Sequence, residues 1–452
     1  MTIAAPALLL AVAALAAFGL RKRVVPVAWL SLVAIVAAFA LVSVTAPDTS
    51  GRLLDVDLRV SDLGRLAALV LLATIGMLVV DVVLDEPAYN FFPAALAVGA
   101  VVLAVLVVTS PLVIFALLLL GLLVPVGTFT FQVHRNRSVE ASVRHFSFVV
   151  MGGSLGLGSL ALASSLPKDQ PATTVVLLVV LLFVAFALML AAIPFHTHAA
   201  LLATEVPASA LALYFGVLVP TTFIGFAEIL TLSGLLPAIV QISKVQDLLL
   251  GIGAVSALGG AFLATGSTEL RRVAVYSVIA NLGQALVGIA TLSGPGIVGA
   301  IAITLVSGAG ATQQLLAAGA IERRSGADRP SATVAPLAAL AFVVGGFAMI
   351  GAPPLVGFPG HFFVELIAYS YSGFLGSALV VSTLLILVAQ LRAAMAIFRV
   401  APEKWRVERR PVAGFVGALV FMALLVGGVQ PDGFLRPIAA FADEFIRALR
   451  PL

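Results

Sequence analysis

The segment Gly351-Ala-Pro-Pro-Leu-Val-Gly-Phe-Pro-Gly-His361 places three prolines and three glycines in the middle of apolar sequence. Proline removes a backbone hydrogen-bond donor and glycine tolerates non-helical backbone angles, so this composition predicts a broken helix. A second segment, Pro194-Phe-His-Thr-His198 with Glu205-Val-Pro207 after it, has the same character. Pro220 lies inside the next apolar run, where we expect a further interruption. The apolar runs of the chain are therefore expected to be broken in two regions, around residues 194–220 and 351–361.

The composition predicts an all-α polytopic membrane protein. Apolar residues make up 62% of the chain and charged residues 10%, with a mean hydropathy of +1.18, whereas soluble domains have about 45–50% and about 25%. Apolar runs recur along the chain, each long enough as a helix to cross roughly 30 Å of hydrocarbon. Lipid offers no partners to backbone amides, so these runs must be helical.

Hydropathy predicts about fourteen membrane-spanning segments, which we number as spans 1 to 14. They lie near residues 3–20, 24–45, 65–84, 91–109, 111–133, 146–166, 172–193, 207–230, 246–266, 270–292, 296–320, 332–350, 361–399 (with a break inside it) and 411–429. The tail from Gly433 onward has the pattern of a short amphipathic helix that lies along the lipid headgroups.

The distribution of Lys and Arg predicts the orientation of the spans, because positive charge accumulates in cytoplasmic loops. The odd-numbered loops hold Arg21, Lys22, Arg23, Arg135, Arg137, Arg144, Arg271, Arg272, Arg323, Arg324, Arg329, Arg399, Lys404, Arg406, Arg409 and Arg410. The even-numbered loops hold only Arg52, Arg59, Arg65, Lys168 and Lys244. We therefore expect a multi-pass protein of the cell (inner) membrane with both termini on the non-cytoplasmic side.

The composition also excludes several kinds of chemistry. The chain has no cysteine, which rules out disulfides, iron–sulfur ligation and thiolate metal sites. We therefore expect no cofactor on this chain. His196 and His198 have the spacing of a metal-binding pair, but only Glu205 is near in sequence as a third ligand, so we expect no metal. No dense block of basic residues is present, so nucleic acid is not an expected partner.

Ionisable and amide side chains inside apolar runs are candidates for a proton or ion path. His361 and Glu365 lie one helical turn apart and form either an ion half-site or a structural hydrogen-bonded pair. Glu228 is a candidate by its place in span 8. Arg392 is another, although it can also reach the membrane surface by snorkelling.

The remaining candidates have less specific expectations. Asn281 and Gln284 either hold waters or link helices. His196, His198 and Glu205 are expected at the end of span 7, with the two histidines facing headgroups or a neighbouring subunit. At the start of span 6, Glu140, Arg144 and His145 are expected to form a local ionic cluster.

These segments resemble motifs of the antiporter-like membrane subunits of respiratory complex I, energy-converting membrane hydrogenases and Mrp-type antiporters. Pro194-Phe-His196 with Glu205 and Pro207 is similar to the family's Pro-Phe-His-x-Trp-Leu-Pro-Asp segment and its Glu-Ala-Pro sequel. Arg271 to Ala280 is similar to Lys-Arg-x-x-Ala-Tyr-Ser-Ser-Ile, and Gly351 to His361 to Gly-x-Pro-Pro-x-x-Gly-Phe-x-Gly-Lys. Glu140 to Phe146 is similar to Glu-Ala-x-x-Lys-Tyr-Phe.

The resemblance implies two inverted five-helix units with spans 7 and 12 broken. Residues 1–90 would then hold spans 1–3, residues 91–232 the first unit, residues 245–400 the second unit, and residues 411–452 span 14 with the tail. The family moves protons along a midplane row of lysines, histidines and a glutamate, and this chain departs from it. Leu120, Met189 and Pro220 stand at the carrier positions of spans 5, 7 and 8, and Asn281 stands where histidine is common.

The resemblance therefore implies a membrane subunit of a redox-linked proton-translocating complex, complex I-like or hydrogenase-like, with a degenerate or modified proton path. Its partners would be other membrane subunits and the lipid bilayer, with protons or Na⁺ as the ion. Two alternatives remain open from the sequence. One is a stand-alone proton or cation transporter that uses the His361 and Glu365 region, and the other is a purely structural subunit of such a complex.

Overall fold

The computed structural model describes residues 3–84, 90–130, 137–165, 172–241, 243–325, 331–399 and 412–449. The described chain is almost entirely helical. Its helices are α1 (Ala5–Gly19), α2 (Val24–Val44), α3 (Asp62–Leu84), α4 (Phe91–Val105), α5 (Pro111–Leu123), α6 (Val126–Thr130), α7 (Ser138–Ser165), α8 (Ala172–Met189), α9 (Thr197–Glu205), α10 (Ala208–Leu213), α11 (Val219–Leu232), α12 (Leu236–Gln241), α13 (Ser243–Gly266), α14 (Leu270–Ala290), α15 (Gly294–Ser325), α16 (Pro336–Met349), α17 (Gly357–Tyr371), α18 (Gly373–Ile397), α19 (Val412–Val429) and α20 (Asp432–Ala448). An antiparallel hairpin of β1 (Ser50–Leu53) and β2 (Val56–Arg59) lies between α2 and α3.

The all-α multi-pass architecture predicted from composition is confirmed. Ten helical segments among the described residues are long and apolar enough to cross a membrane, and four shorter apolar helices, Ala5–Gly19, Phe91–Val105, Thr173–Met189 and Pro336–Met349, lie where spans 1, 4, 7 and 12 are expected. The count of fourteen crossings and the inverted relation of the two units stay predictions.

Both predicted helix breaks are present. The first break, residues 190–196, separates α8 from α9, and the second break, residues 350–356, separates α16 from α17. Each contains a left-handed residue two positions after the helix ends: Ala191 has a φ of 56° and Gly351 a φ of 65°. Spans 7 and 12 are therefore each built from two shorter helices.

Several predicted bounds are wrong. The segment predicted over 361–399 with a break inside it is two helices, because α17 ends at Tyr371 and α18 begins at Gly373, but α17 already begins at Gly357, before the expected 361. Helix α9 and the β-hairpin were not predicted, and α7 begins at Ser138, before the expected 146.

Pro220 does not interrupt span 8 as expected. The helix widens into a π-helical turn over Tyr214–Leu218 and continues as α11, with Pro220 in its first turn. The backbone N–H groups in the first turn of a helix have no partner within that helix, so a proline, which lacks an N–H, fits there. The local widening therefore accommodates the proline without a gap in the chain direction.

The interior is formed by the middle helices of the two units. Within the most apolar 18-residue stretch of each helix, all residues of Ala208–Leu232 are buried, as are 94% of those in α14 and 83% of those in α15. In α19 only 28% are buried. Helix α15 packs against α14, α16, α17 and α10. Lipid-facing helices surround this centre, so groups on α14 and α15 are shielded from both water and lipid.

The predicted amphipathic helix at the C-terminus is confirmed, and its position along the headgroups stays a prediction. Ile438, Phe441 and Phe445 of α20 are buried, and the helix packs against α15 and α3. Glu444 accepts a hydrogen bond from Arg59 of the hairpin at 2.9 Å, and this contact raises the pKa of the Arg59 guanidinium. The apolar face of α20 is thus satisfied by the bundle itself.

Candidate ion path

A chain of hydrogen-bonded polar side chains crosses the second unit. Glu365 accepts a hydrogen bond from the Thr383 hydroxyl at 2.8 Å, and Gln284 Nε2 donates to Thr383 Oγ1 at 3.0 Å. Gln284 Oε1 is 2.9 Å from His361 Nδ1. Because the amide oxygen can only accept, the imidazole donates from Nδ1, which leaves Nε2 as its proton acceptor. His361 and Glu365 are thus linked through two neutral side chains, not by a direct bond.

The second break positions His361. It lies in the first turn and a half of α17, directly after the irregular residues. A Cβ on Gly351 would be 2.4 Å from His361 Cδ2, so only glycine leaves room for the ring. Gly351 also has a positive φ, which L-residues with side chains adopt at a cost. Both features of Gly351 bring the imidazole against the end of α16.

Asn281 satisfies the end of α16 from the neighbouring helix. Its Nδ2 donates to the Met349 carbonyl and to Ser307 Oγ, both at 2.7 Å. The last carbonyls of a helix have no partner within the helix, and at this depth water does not reach them freely. Asn281 therefore joins α14, α15 and α16 at the second break.

A pair of glutamines extends the polar groups toward the predicted cytoplasmic side. Gln314 Nε2 donates to Gln390 Oε1 at 2.6 Å and to the Phe342 carbonyl at 3.0 Å. Gln390 Nε2 reaches Ser277 Oγ at 3.2 Å. The described part of the second unit therefore contains polar groups from Ser277 to Glu365 at its centre, most of them neutral amides and hydroxyls.

The three residues that the resemblance places at the carrier positions of the first unit lie in apolar surroundings. Leu120 is 52% exposed and borders an apolar cavity of about 530 Å³ between α1, α4 and α5. Met189 is fully buried at the end of α8, and Pro220 is buried in α11. Leu and Met side chains do not exchange protons. The three positions therefore cannot act as proton carriers.

The histidines near the first break do not lie where they were expected. His198 is fully buried and does not face headgroups, and its Nδ1 is 3.1 Å from the Phe195 carbonyl. His145 is also fully buried, apart from the ionic cluster in which it was expected. That cluster forms from Arg137, Glu140 and Arg144 on the exposed start of α7.

The remaining predicted candidates lie apart from this chain. His196 is only partly buried, and Glu205 lies at the end of α9 with a weak 3.5 Å contact from Thr204. Glu228 lies in α11 close to Glu444 of α20. Arg392 is exposed and donates to the Thr265 carbonyl at the surface of α13 and α18.

Sequence reasoning missed Thr383, Ser382 and Gln390 of α18. A signal existed, because Ser382, Thr383 and Gln390 are polar residues inside a run of apolar ones. It was weak because hydroxyls in membrane helices often bond to their own backbone. Here Ser382 instead donates to the Ala257 carbonyl of α13 at 2.9 Å.

Comparisons with known proteins agree with this arrangement. The family described as NADH:quinone oxidoreductase/Mrp antiporter, TM, matches residues 145–386. NADH-quinone oxidoreductase subunit 13 of Thermus thermophilus is 31% identical over 219 residues, which is 46% of this chain and 45% of that protein. This chain thus matches about half the length of this curated relative.

Two solved structures share the fold along their whole length. A chain of respiratory complex I from Thermus thermophilus has a TM-score of 0.82 at 20% identity and covers 99% of this chain and all of its own. A chain of the membrane-bound sulfane sulfur reductase, an archaeal respiratory membrane complex, has a TM-score of 0.85 at 16% identity and covers both chains completely. The family match covers more than half of this chain, and both helix breaks are present. This chain therefore belongs to the NADH:quinone oxidoreductase/Mrp antiporter membrane family.

Proposed function

We propose that the chain is an antiporter-like membrane subunit of a multisubunit, redox-linked complex, in which protons use a modified path. The observation that carries the proposal is the hydrogen-bonded chain from Glu365 to His361 beside the second break. The Thermus relative is named as a subunit of an NADH-quinone oxidoreductase, and the similar structures are respiratory membrane complexes. Redox chemistry then takes place on partner chains.

The proposed mechanism uses Glu365 and His361 as the two proton carriers of the second unit. A carboxylate and an imidazole both gain and lose protons, whereas the Thr383 hydroxyl and the Gln284 amide hold these two groups in place and store no excess proton. Gln284 fixes the imidazole by accepting from Nδ1, so the lone pair on Nε2 receives the proton. The ion is proposed to be a proton, because His361 keeps on Nε2 a lone pair that accepts one.

Sidedness follows from the distribution of Lys and Arg. We place Glu365 in the non-cytoplasmic half of the cell membrane, because α17 runs toward an even-numbered loop after Tyr371. The absence of cysteine from the chain makes this simple to test. Single cysteines at Lys22 and at Thr49 should be labelled by a membrane-impermeant maleimide from opposite sides, with Thr49 labelled in intact cells.

Purification from native membranes tests the assignment to a complex. A tag on this chain should retrieve quinone-reductase, hydrogenase or sulfur-reductase subunits, identified by mass spectrometry. Reconstituted in liposomes, that complex should acidify the lumen when supplied with its electron donor. A chain that migrates alone contradicts the proposal. Cation flux driven by a pH gradient through the chain alone, abolished by His361→Ala, would instead support a stand-alone transporter.

A further inference from the structure

Two buried histidines lie against each other in the first unit, away from the path described above. His145 belongs to α7 and His198 to α9, directly after the first break. Neither is exposed, and the ring centroids are 5.5 Å apart with the ring planes tilted by 44°. Tyr214 packs edge-on against His145 at 4.9 Å, and Phe148 stacks on His198 at 4.8 Å. The pair is enclosed by aromatic rings.

The hydrogen bonds of the two rings fix their tautomers. His145 Nε2 is 3.1 Å from the Leu122 carbonyl, and His198 Nδ1 is 3.1 Å from the Phe195 carbonyl. A carbonyl oxygen only accepts, so each of these nitrogens carries the hydrogen. The other nitrogens, His145 Nδ1 and His198 Nε2, are therefore lone-pair acceptors. Both are buried and have no hydrogen-bond partner among the described residues.

Neighbouring groups do not supply the missing donors. The Tyr214 hydroxyl, which is close to His145, donates to the Met189 carbonyl at 3.2 Å. Arg137, Glu140 and Arg144 pair with one another at the exposed start of α7. Leaving a buried acceptor unsatisfied costs about 1–3 kcal/mol. Two such acceptors on adjacent rings therefore create a strong local demand for a donor.

We propose that His145 and His198 bind one water molecule between them and form a proton-holding site in the first unit. One water has two O–H donors for the two nitrogen lone pairs, and buried waters typically have two to four polar partners. An excess proton that arrives from water forms an N–H bond on one imidazole. It can then pass through the bound water to the other imidazole, with one N–H bond broken and one formed. No other covalent bond changes.

The site compensates for the apolar carrier positions. His198 follows Met189 across the first break, and His145 is seven residues into α7, about 10 Å from its predicted cytoplasmic start. In the motifs quoted above, the position of His145 is Tyr and the position of His198 is Trp, so neither histidine belongs to the pattern shared with the family. No group of three or more His, Cys, Asp or Glu side chains that could hold a metal occurs in the described part of the chain. A proton is therefore a better occupant than a metal ion.

This inference rests on the proposed proton transport, so its test needs a measurement that is independent of transport. The chain has five histidines, and ¹⁵N-histidine labelling of the full-length chain in its native complex gives imidazole signals that single variants assign. His145→Gln keeps a donor for the Leu122 carbonyl, and His198→Asn keeps a donor for the Phe195 carbonyl, but neither replacement holds a proton. Tyr214→Phe is the matched control, because it keeps the ring beside His145.

The expected result is that the His145 and His198 signals exchange with solvent and change together as the pH is lowered from about 8 to about 3, a range that extends below the usual one for histidine because both rings are buried. Removal of either histidine should abolish the change in the other, and Tyr214→Phe should preserve both. Rings that keep one neutral tautomer without solvent exchange, or that respond independently, overturn the proposal. In liposomes each histidine variant should lower redox-driven proton uptake measurably, by a smaller factor than a Glu365→Gln variant does, with the double variant no worse than either single one. Unchanged uptake in both single variants also overturns it, whereas a wild-type complex that takes up no protons contradicts only the proposed function.

Discussion

The first break and the second break follow helices that end at Met189 and Met349, and their backbones correspond residue by residue. Ala192 N donates to the Ala187 carbonyl at 2.9 Å, and Ala352 N donates to the Phe347 carbonyl at 3.0 Å. Phe195 N reaches the Ala192 carbonyl at 2.6 Å, and Leu355 N reaches the Ala352 carbonyl at 2.9 Å. Counted from the two methionines, Ala191 corresponds to Gly351 and Glu205 to Glu365.

The side chains around the two breaks differ in chemistry. At the second break, His361, Gln284, Thr383 and Glu365 form a continuous hydrogen-bonded chain. At the first break the residue expected at the carrier position is Met189, and Glu205 at the end of α9 belongs to no such chain among the residues that the structure describes. An irregular backbone alone therefore does not create a chain of hydrogen-bonded polar side chains. The polar groups that neighbouring helices bring to the break decide its chemistry.

The sharpest test compares the two corresponding glutamates. Glu365→Gln should lower redox-driven proton uptake by roughly tenfold or more, because an amide still accepts the Thr383 hydroxyl bond but cannot carry a proton. Glu205→Gln should change uptake by less than about twofold. Both are measured with a luminal pH dye in liposomes that contain the complex. Equal losses in the two variants would show that both units conduct through these carboxylates.

Restoring a lysine at the first break should destabilise the protein. Met189→Lys places an ammonium in a fully buried site, at a cost of roughly 3 kcal/mol. Adding Leu120→Glu should not compensate, because Leu120 is 52% exposed beside an apolar cavity. Thermal unfolding in detergent measures both variants. A double variant as stable as the wild type would mean that the two positions face each other.

The left-handed residues offer a smaller and reciprocal comparison. Gly351→Ala should cost about 1–2 kcal/mol from the positive φ alone, and the new Cβ would displace His361. Ala191→Gly should be neutral or stabilise by up to about 1 kcal/mol. It removes the same backbone strain, but glycine also raises the conformational entropy of the unfolded chain, which offsets part of the gain. Thermal unfolding of the two variants should therefore shift in opposite directions. A shift of the same sign in both would break the correspondence of the two backbones.

The sequence was sufficient for the membrane class and for both breaks, because lipid forces apolar runs into helices and clustered prolines interrupt them. It placed the second break at residues 351–361, and the structure has it at 350–356, but hydropathy alone did not give the bounds of the short α17 and of α18. The ends of α7 and α9 were missed for a similar reason: polar residues such as Glu140, His145 and His198 lower hydropathy without ending a helix.

The partners of the candidate residues were not predictable from the sequence. From their spacing on one helix, His361 and Glu365 were expected to form either an ion half-site or a hydrogen-bonded pair, but the link between them runs through Gln284 of α14 and Thr383 of α18. Contacts between helices distant in sequence depend on packing, which residue spacing does not specify. The burial of His145 and His198 against each other depends on the same kind of contact.

The smallest expected effect concerns the carbonyls that end α8 and α16. The Met189 carbonyl accepts one hydrogen bond, from the Tyr214 hydroxyl at 3.2 Å. The Met349 carbonyl accepts from Asn281 Nδ2, which also donates to Ser307 Oγ at 2.7 Å. Tyr214→Phe should lower the free energy of unfolding by about 1 kcal/mol or less, and Asn281→Leu by about twice as much, because it removes two bonds of similar value. The two variants are compared by thermal unfolding at one detergent concentration. A larger loss for Tyr214→Phe would show that the first break, despite its apolar carrier position, depends more strongly on its polar cap than the second break does.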